Sequence, residues 1–253
     1  MLILQYTLGL DIGTSAVKAL LMDQNGEIAA ENSEEYPLYT PNPGWAEQNP
    51  EDWWQASQKV IKDLIKENEI KAEEIKAVSF SGQMHSSVFL DENMEVIRPA
   101  ILWSDTRTSK ECREIEKRVG GIKELTKLVS NPALEGFTAA KILWLRNNEP
   151  ENYKKVKKVL LPKDYIRYKL TGELGMDLSD AAGTLLCDVR AEDWSEEIME
   201  LLEIDKEIMP PVVKSVDVVG PVTSAAAEKT GLSTVTKVVA GGADNACGAV
   251  GSG

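Results

Sequence analysis

The fold is decided by residues 8–23, LGLDIGTSAVKALLMD, in which two apolar runs flank a short polar turn. Both runs are rich in residues that favour strands, and the Asn25-Gly26 pair that follows them is a strong signal for a hairpin turn. We therefore predict three successive antiparallel strands at the start of the chain, with the polar turn at the tip of the first one.

The polar turn carries groups that suit a phosphate. Asp11 ends the first predicted strand, and Gly13 lets the backbone approach a ligand closely. Thr14 and Ser15 add hydroxyl groups beside the exposed amides of the turn. A carboxylate next to such a turn suits the Mg²⁺ that accompanies phosphate. Taken alone, the same residues fit an ordinary polar hairpin turn equally well.

The far end of the chain has a similar arrangement. Residues 235–240 are a run rich in β-branched residues that opens into GGADN at residues 241–245. This pattern again predicts a strand, a glycine turn and a carboxylate, here Asp244. Two such strand ends in one chain favour a shared ligand site over two unrelated turns.

The composition bounds the size of the core and the class of partner. A chain of 253 residues, 43% of them hydrophobic, can bury the core of one large domain or two small ones. The net charge of -13 argues against a nucleic acid or an anionic membrane as partner. The three cysteines lack the spacing of a disulfide framework or a zinc site. This cysteine pattern favours a reducing compartment, and the N-terminus shows neither a signal peptide nor a membrane span, so we expect a cytoplasmic protein.

The middle of the chain alternates helix and strand patterns. Asn49 caps a helix predicted to run to about Asn68, and strands are predicted over residues 75–81 and 99–103. This alternation, after an antiparallel start, implies a mixed sheet covered by helices. Residues 177–184, DLSDAAGT, are too small and polar for the core, and they predict a loop that closely approaches a partner, which the sequence does not identify.

Four predicted strand ends carry or precede polar groups. Asp11, Gly82, Trp103 and Gly241 would open at one edge of the sheet, where α/β folds bind their ligands. The groups gathered there are carboxylates, hydroxyls, glycine amides and the only imidazole, that of His85. A lone histidine at a strand end is more often a structural group than a ligand contact. The whole set nevertheless suits a polar substrate such as a sugar, with phosphoryl transfer as the reaction.

Six motifs resemble, in this order, those of the N-terminal domain of the FGGY carbohydrate kinases. They are DIGTS at 11–15, SGQMH at 81–85, LWSDTR at 102–107, LPKDY at 161–165, SDAAGT at 179–184 and GGADN at 241–245. The resemblance implies an α/β fold of the ribonuclease H-like class, which actin, sugar kinases and Hsp70 share. It also implies that residues 1–253 are one sugar-binding domain, ending near the hinge to a second domain, with ATP held between the two.

The resemblance further implies which side chains act on ligands. Asp244 matches the catalytic base of the family, and Asp11 matches the acid of the first phosphate motif, which holds Mg²⁺ through water. The positions that match the phosphate-binding turn and its neighbouring cation are Gly13, Thr14, Ser15 and Lys18. The positions that match contacts to the sugar are Gln83, Met84, His85, Trp103, Asp105 and Asn245.

The activity that the resemblance implies is ATP-dependent phosphorylation of a sugar hydroxyl, with D-xylulose as the expected substrate. Ser86 stands where a glycine is expected for that substrate, so ribulose, another ketose, a polyol or an aldonate are alternatives. Two further hypotheses are an ATPase of the actin or Hsp70 kind and a sugar-binding lobe without catalysis. We expect the isolated chain to be inactive or weakly active without its second domain. The resemblance leaves open whether the protein forms a homodimer.

Overall fold

A computed structural model describes residues 5–253 of the chain. The strands in these residues are β1 (Tyr6–Ile12), β2 (Ala16–Asp23), β3 (Ile28–Glu35), β4 (Glu47–Gln48), β5 (Ile75–Gly82), β6 (Val88–Leu90), β7 (Ala100–Ile101), β8 (Lys158–Leu160), β9 (Met176–Asp177), β10 (Cys187–Asp188), β11 (Asp193–Trp194), β12 (Val212–Val213), β13 (Val218–Pro221) and β14 (Lys237–Val239).

Helices of very different lengths connect these strands. They are α1 (Pro50–Glu67), α2 (Ser109–Val119), α3 (Ile122–Val129), α4 (Thr138–Asn148), α5 (Pro150–Tyr153), α6 (Pro162–Thr171), α7 (Leu178–Ala182), α8 (Glu196–Leu202), α9 (Ser224–Thr230) and α10 (Asp244–Ser252). Two short 3₁₀ turns lie at Ala72–Glu74 and Lys206–Ile208. Among the described residues, no helix is both long enough and apolar enough to cross a lipid bilayer.

The central sheet has six strands in the order β13-β14-β5-β1-β2-β3. The first three strands of the chain pair antiparallel, which confirms the prediction from residues 8–23 and the Asn25-Gly26 turn. Strands β1, β5 and β14 run parallel to one another, so the sheet is mixed as predicted. Their carboxyl ends consequently lie at the same edge of the sheet.

Alternation along β1 divides its residues between two faces of the sheet. Leu8, Leu10 and Ile12 are buried on one face, while Gly9 and Asp11 lie on the other. The buried face packs in one hydrophobic cluster with side chains of α1, which contacts β2 and β3. The register of the sheet is thereby fixed, because a slip of one residue would bring the carboxylate into the core.

Helix α1 begins and ends where the sequence predicts. The Asn49 side chain accepts a hydrogen bond from the backbone N–H of Glu51 at 3.2 Å, and Pro50 occupies the first turn. The helix ends at Glu67, with Asn68 as its C-cap. Its buried side includes Trp53 and Trp54, and this side covers the sheet.

The predicted loop over residues 177–184 is wrong. The structure contains β9 followed by helix α7, and Asp177 and Asp180 are fully buried. The ammonium group of Lys163 on α6 lies 2.7 Å from Asp177 and 2.9 Å from Asp180, so the two negative charges are compensated inside the protein. A polar segment is therefore part of the interior, because its partner comes from another helix.

A second hydrophobic cluster lies beside the sheet and surrounds α4. This helix is buried nearly all round, and it contacts α2 and α5. Phe137 packs against this cluster, and its ring also contacts His85, which follows the end of β5.

Candidate active site

The edge where the parallel strands end gathers the predicted strand tips. Asp11 lies one residue before the end of β1, Gly82 ends β5, and Gly241 follows β14. Trp103 follows β7, which belongs to a separate two-stranded sheet, but its indole N–H donates to the hydroxyl of Thr14 at 3.0 Å. All four strand ends therefore meet at one edge, as the sequence predicts.

Only glycine fits at the turn that leads to Asp244. Gly241 has a φ of 78°, and a Cβ atom there would lie 2.3 Å from the carbonyl oxygen of Phe80 on β5. The next amide, that of Gly242, donates to the same carbonyl at 3.0 Å. This close approach of two backbones sets the start of α10, and with it Asp244, against the end of β5.

The carboxylates of Asp11 and Asp244 influence each other electrostatically. Asp11 is half-buried and Asp244 is exposed in the first turn of α10. Burial raises the pKa of Asp11 above its ordinary value of 3.8; a hydrogen bond with Ser81 opposes this, and the charge of Asp244 raises it further. Lys18, which lies opposite Asp11 on β2, lowers it again. Asp11 and Asp244 are therefore close enough to repel each other, and neither is enclosed in an apolar interior.

Side chains from three other segments hold the polar turn after β1. The hydroxyl of Tyr36 and the side-chain amide of Gln83 both donate to the carbonyl of Gly13, the latter at 3.1 Å. The amide of Gln48 donates to the carbonyl of Thr14 at 2.7 Å. The shape of this turn thus depends on Tyr36 and Gln48, two residues that carry no functional signal in the sequence.

Gln83 is predicted to contact the sugar, and the structure places it in the interior, 2% exposed. Its amide N–H group also donates to Gln48, and its amide oxygen accepts a hydrogen bond from the hydroxyl of Ser86. The same hydroxyl accepts the backbone N–H of Trp103 at 3.0 Å. Gln83 and Ser86 thus connect the polar turn to the segment that carries Trp103 through a chain of hydrogen bonds.

One ring nitrogen of His85 forms a hydrogen bond within the protein. Its Nδ1 lies 2.7 Å from the carbonyl oxygen of Gly183, and its ring packs on Phe137 with 4.4 Å between ring centres. Since a carbonyl only accepts, Nδ1 carries the hydrogen. Burial lowers the pKa of His85 from 6.5 to about 4; the bond to Gly183 opposes this and the charge of Lys141 adds to it. The ring is therefore neutral near pH 7, and its Nε2 can accept a hydrogen bond from a substrate hydroxyl.

The backbone of His85 is strained and is held by buried donors. Its φ of 63° is left-handed, which is uncommon for a residue with a side chain. Its carbonyl oxygen accepts hydrogen bonds from the Lys141 ammonium at 2.9 Å and from the Thr138 hydroxyl at 3.1 Å. Lys141 is fully buried on α4, and burial lowers its pKa to about 7. Met84 lies beside His85, with its methyl group close to Gly183.

Asp105 and Trp103 have opposite exposures. Asp105 is 1% exposed, and its carboxylate accepts the N–H of Ala46 at 2.6 Å and three hydrogen bonds from Arg107. Trp103 is 47% exposed at the site edge. The structure thus uses Asp105 to hold the loop that presents Trp103. Asn245 is exposed beside Asp244 in the first turn of α10.

The donor set around Asp11 fits Mg²⁺ bound mainly by water and phosphate. Within residues 5–253, no group of three or more His, Cys, Asp or Glu side chains is arranged to hold a metal ion. Mg²⁺ keeps several of its waters and is commonly held by one or two carboxylates together with substrate phosphates. A single half-buried carboxylate beside the turn of Gly13 to Ser15 offers that kind of site.

Comparison with known proteins places these features in a family. A family model described as the N-terminal domain of the FGGY family of carbohydrate kinases matches residues 6–251. The chain is 46% identical over 250 residues to a xylulose kinase of Bacillus subtilis, which covers 99% of this chain and 50% of that protein. It is 48% identical over 248 residues to a xylulose kinase of Lactococcus lactis, covering 98% of this chain and 49% of that protein. The chain thus spans about half the length of these curated relatives.

Solved structures show the same fold. A ligand-bound xylulose kinase from Lactobacillus acidophilus superposes with a TM-score of 0.91 at 31% identity, over 98% of this chain and 50% of that one. A xylulose kinase from Rhodospirillum rubrum gives a TM-score of 0.93 at 29% identity, over 98% of this chain and 51% of that one. The predicted ribonuclease H-like fold of the sugar kinases is thereby confirmed.

Proposed function

Because the chain belongs to the FGGY family of carbohydrate kinases, we propose that it is the sugar-binding domain of a kinase that converts D-xylulose and ATP to D-xylulose 5-phosphate and ADP. The curated relatives named xylulose kinases that share 41% to 48% of its residues support this substrate. The observation that carries the proposal is that Asp11 and Asp244 both lie at the edge where β1, β5 and β14 end, where the charge of Asp244 raises the pKa of Asp11.

Asp244 acts as the general base in the proposed reaction. The terminal hydroxyl oxygen of the sugar forms a bond to the γ-phosphorus of ATP, while the bond from that phosphorus to the bridging oxygen of ADP breaks. The hydroxyl proton passes to the carboxylate of Asp244. This carboxylate suits the task because it is exposed at the site edge and fixed to the first turn of a helix.

The sugar is bound on the side of the site that carries His85. The Nε2 of the neutral ring accepts a hydrogen bond from a sugar hydroxyl, and the side chain of Met84 provides an apolar wall. Asn245 and Trp103 supply further polar and stacking contacts, because both are exposed at the same edge. These four side chains, with Asp244, define the proposed sugar site.

Asp11 and the turn after it face the phosphates of ATP. Thr14 and Ser15 offer hydroxyl groups and backbone amides, and Lys18 offsets negative charge. Asp11 would hold Mg²⁺ through water, and the ion when bound neutralises negative charge on the phosphates. We propose that a second domain completes the ATP site, because the curated relatives are about twice as long as this chain.

The experiment that tests this function is an ADP-release assay on the protein that carries both domains, over a panel of ketoses, polyols and aldonates. We expect D-xylulose to give the highest kcat/KM, and Asp244→Asn to lower kcat by about 10²- to 10⁴-fold, since a general base contributes about that much. Asp63→Asn is the matched control, because Asp63 is a surface carboxylate on α1 with a weak ion pair to Lys59.

Three outcomes would overturn parts of the proposal. ADP release that no sugar stimulates would favour an ATPase of the actin or Hsp70 kind. A better polyol or aldonate substrate would keep the kinase and replace the sugar. Full turnover by Asp244→Asn would show that Asp244 is not the base.

We also propose a cytoplasmic location, because a kinase of this kind draws on the cellular ATP pool.

A further inference from the structure

Helix α7 connects the two sides of the proposed site. At its C-terminal end, the carbonyl of Gly183 accepts the Nδ1–H of His85 at 2.7 Å. At its N-terminal end, the hydroxyl oxygen of Ser179 accepts the backbone N–H of Ala243 at 2.9 Å. Ala243 immediately precedes Asp244 and is the N-cap of α10. A helix of five residues therefore contacts both the sugar-facing imidazole and the residue before the proposed base.

The Ser179 hydroxyl is oriented by a buried carboxylate. It donates to Oδ2 of Asp177 at 2.5 Å, so a lone pair of its oxygen is free to face Ala243. The same Oδ2 also accepts the backbone N–H of Ser179 at 2.9 Å and the hydroxyl of Ser215 at 2.9 Å. With its own proton engaged by Asp177, Ser179 can only accept the amide of Ala243.

The carboxylate that orients Ser179 is itself fixed by a buried cation. The ammonium group of Lys163 on α6 contacts Asp177 at 2.7 Å, Asp180 at 2.9 Å and Asp164 at 2.8 Å, and all four side chains are fully buried. Burial alone would lower the pKa of Lys163, but the three carboxylates together raise it above its ordinary value. A charge cluster of this kind resists displacement, because moving one member leaves another buried and uncompensated.

The same cluster reaches the strand that leads to Asp244. Arg167 donates from one guanidinium nitrogen to Asp164 at 2.9 Å and to the carbonyl of Ala240 at 3.0 Å. Ala240 is the first residue after β14, three residues before Ala243. The approach to α10 is thus held at two points, by Arg167 at Ala240 and by Ser179 at Ala243.

The two ends of α7 pack differently against the site. A Cβ atom on Gly183 would lie 2.7 Å from the ring of His85, so this end of the helix is in close contact with the imidazole. A Cβ atom on Gly242 would lie 3.4 Å from the Ser179 hydroxyl, which is ordinary van der Waals contact. A displacement of α7 would therefore be transmitted first to the imidazole.

We propose that Ser179 is a positioning residue that, through the amide of Ala243, sets the carboxylate of Asp244 against the sugar held by His85. The proposal rests on the proposed function, since it assumes that Asp244 meets a sugar hydroxyl. A small misplacement of a base lowers kcat far more than it weakens sugar binding, because the proton moves only in the transition state. Ser179 therefore acts on kcat rather than on KM.

The first measurement needs no sugar. Hydrogen exchange at the Ala243 amide in Ser179→Ala is expected to be about 10-fold faster than in the unchanged protein, because one hydrogen bond is lost. The Gly242 amide, which donates to Phe80, is the internal reference and should exchange as before. Unchanged exchange at Ala243 would overturn the proposal.

The second measurement uses the phosphorylation assay on the protein with both domains. Ser179→Ala is expected to lower kcat by about 10-fold and to leave the KM for the sugar within about twofold. Ser179→Thr keeps the hydroxyl and should restore kcat. Ser215→Ala is the matched control, because it removes another hydrogen bond to Oδ2 of Asp177 without touching the Ala243 amide.

A double-mutant cycle separates positioning from a merely structural role. In the Asp244→Asn background, Ser179→Ala should lower kcat no further, because its effect passes through that carboxylate. Losses in kcat that multiply in the double mutant would overturn the proposal.

The two proposals fail in different ways. If no sugar is phosphorylated while the Ala243 amide exchanges faster, the proposed function fails. If Ser179→Ala phosphorylates the sugar at full rate, the positioning proposal fails and the proposed function stands.

Discussion

The neutral state of His85 gives a prediction that pH alone can test. The folded protein holds this pKa at about 4, whereas the unfolded chain takes up a proton near the ordinary value of 6.5. Between these two values the unfolded state binds more protons than the folded state, so the free energy of unfolding falls as the pH falls. At 1.36 kcal/mol for each pH unit, the fall from 6.5 to about 4 corresponds to about 3 kcal/mol of lost stability.

Comparison with His85→Gln isolates this contribution from the many carboxylates. Urea unfolding at about pH 7.5 and about pH 4.5 should show the unchanged protein losing more stability than the variant, by up to about 3 kcal/mol. The charged group that faces the ring is Lys141, whose ammonium group opposes protonation of the ring in the folded state. Both proteins retain Lys141, so the titration of Lys141 contributes to the pH dependence of the free energy of unfolding in both proteins.

The chain has one histidine, so its imidazole signals can be followed without ambiguity. Long-range proton–nitrogen NMR spectra should show a neutral ring with its hydrogen on Nδ1 from about pH 7.5 down to about pH 5. A ring that titrates near 6.5, together with equal acid losses in His85→Gln, would refute the reasoning. In that case His85 would not be buried against Gly183, and it would not offer a fixed acceptor to a sugar.

Three further predictions concern the buried charges and the glycine turn. Burial raises the pKa of Asp180 above its ordinary value of 3.8, although the charge of Lys163 opposes this. The stability that Asp180 contributes is therefore present at low pH and is lost as the pH rises above that value, and Asp180→Asn should remove the slope in urea unfolding. Lys163→Met leaves buried carboxylates without their cation and should lower the free energy of unfolding by about 3–5 kcal/mol in the same assay. Gly241→Ala should cost about 2–4 kcal/mol, whereas Gly26→Ala, with open space around it, should cost about 1 kcal/mol; equal costs would contradict the close approach to β5.

Much of the fold was predictable because it depends on local signals. The hairpin at Asn25-Gly26, the cap at Asn49 and the apolar runs within residues 8–23 each decide local elements without help from distant parts of the chain. The family assignment from six ordered motifs is confirmed by the family-model match. The meeting of strand ends was predictable as well, since parallel strands present their carboxyl ends at one edge.

The errors and omissions arise where a residue's environment is made by distant residues. The pattern of residues 177–184 predicts a loop, because nothing in it indicates that Lys163 forms ion pairs with Asp177 and Asp180 in the interior. Lys141 has no sequence signal either, since a lysine on a helix is normally solvated. Only the folded chain shows that its ammonium group holds the strained backbone of His85.

Gln83 and Asp105 are a separate case, because their contacts to the sugar stay predictions. The structure adds a second role for each residue, which is to hold neighbouring segments of the site. Both side chains are buried, and their polar atoms are bonded to the polar turn, to Gln48 and Ser86, or to Arg107. Contacts of this kind depend on side-chain geometry, which spacing along the chain does not encode.

The pKa of Asp11 shows whether the two carboxylates share one site, and it can be measured by carboxyl carbon NMR in the unchanged protein and in Asp244→Asn. We expect an Asp11 pKa above its ordinary value of 3.8 that falls when the charge of Asp244 is removed. Asp23 is the control, because its pKa is lowered by hydrogen bonds within its own turn and should be the same in both proteins. An Asp11 pKa that does not respond to Asp244→Asn would contradict the claim that the two carboxylates share one site.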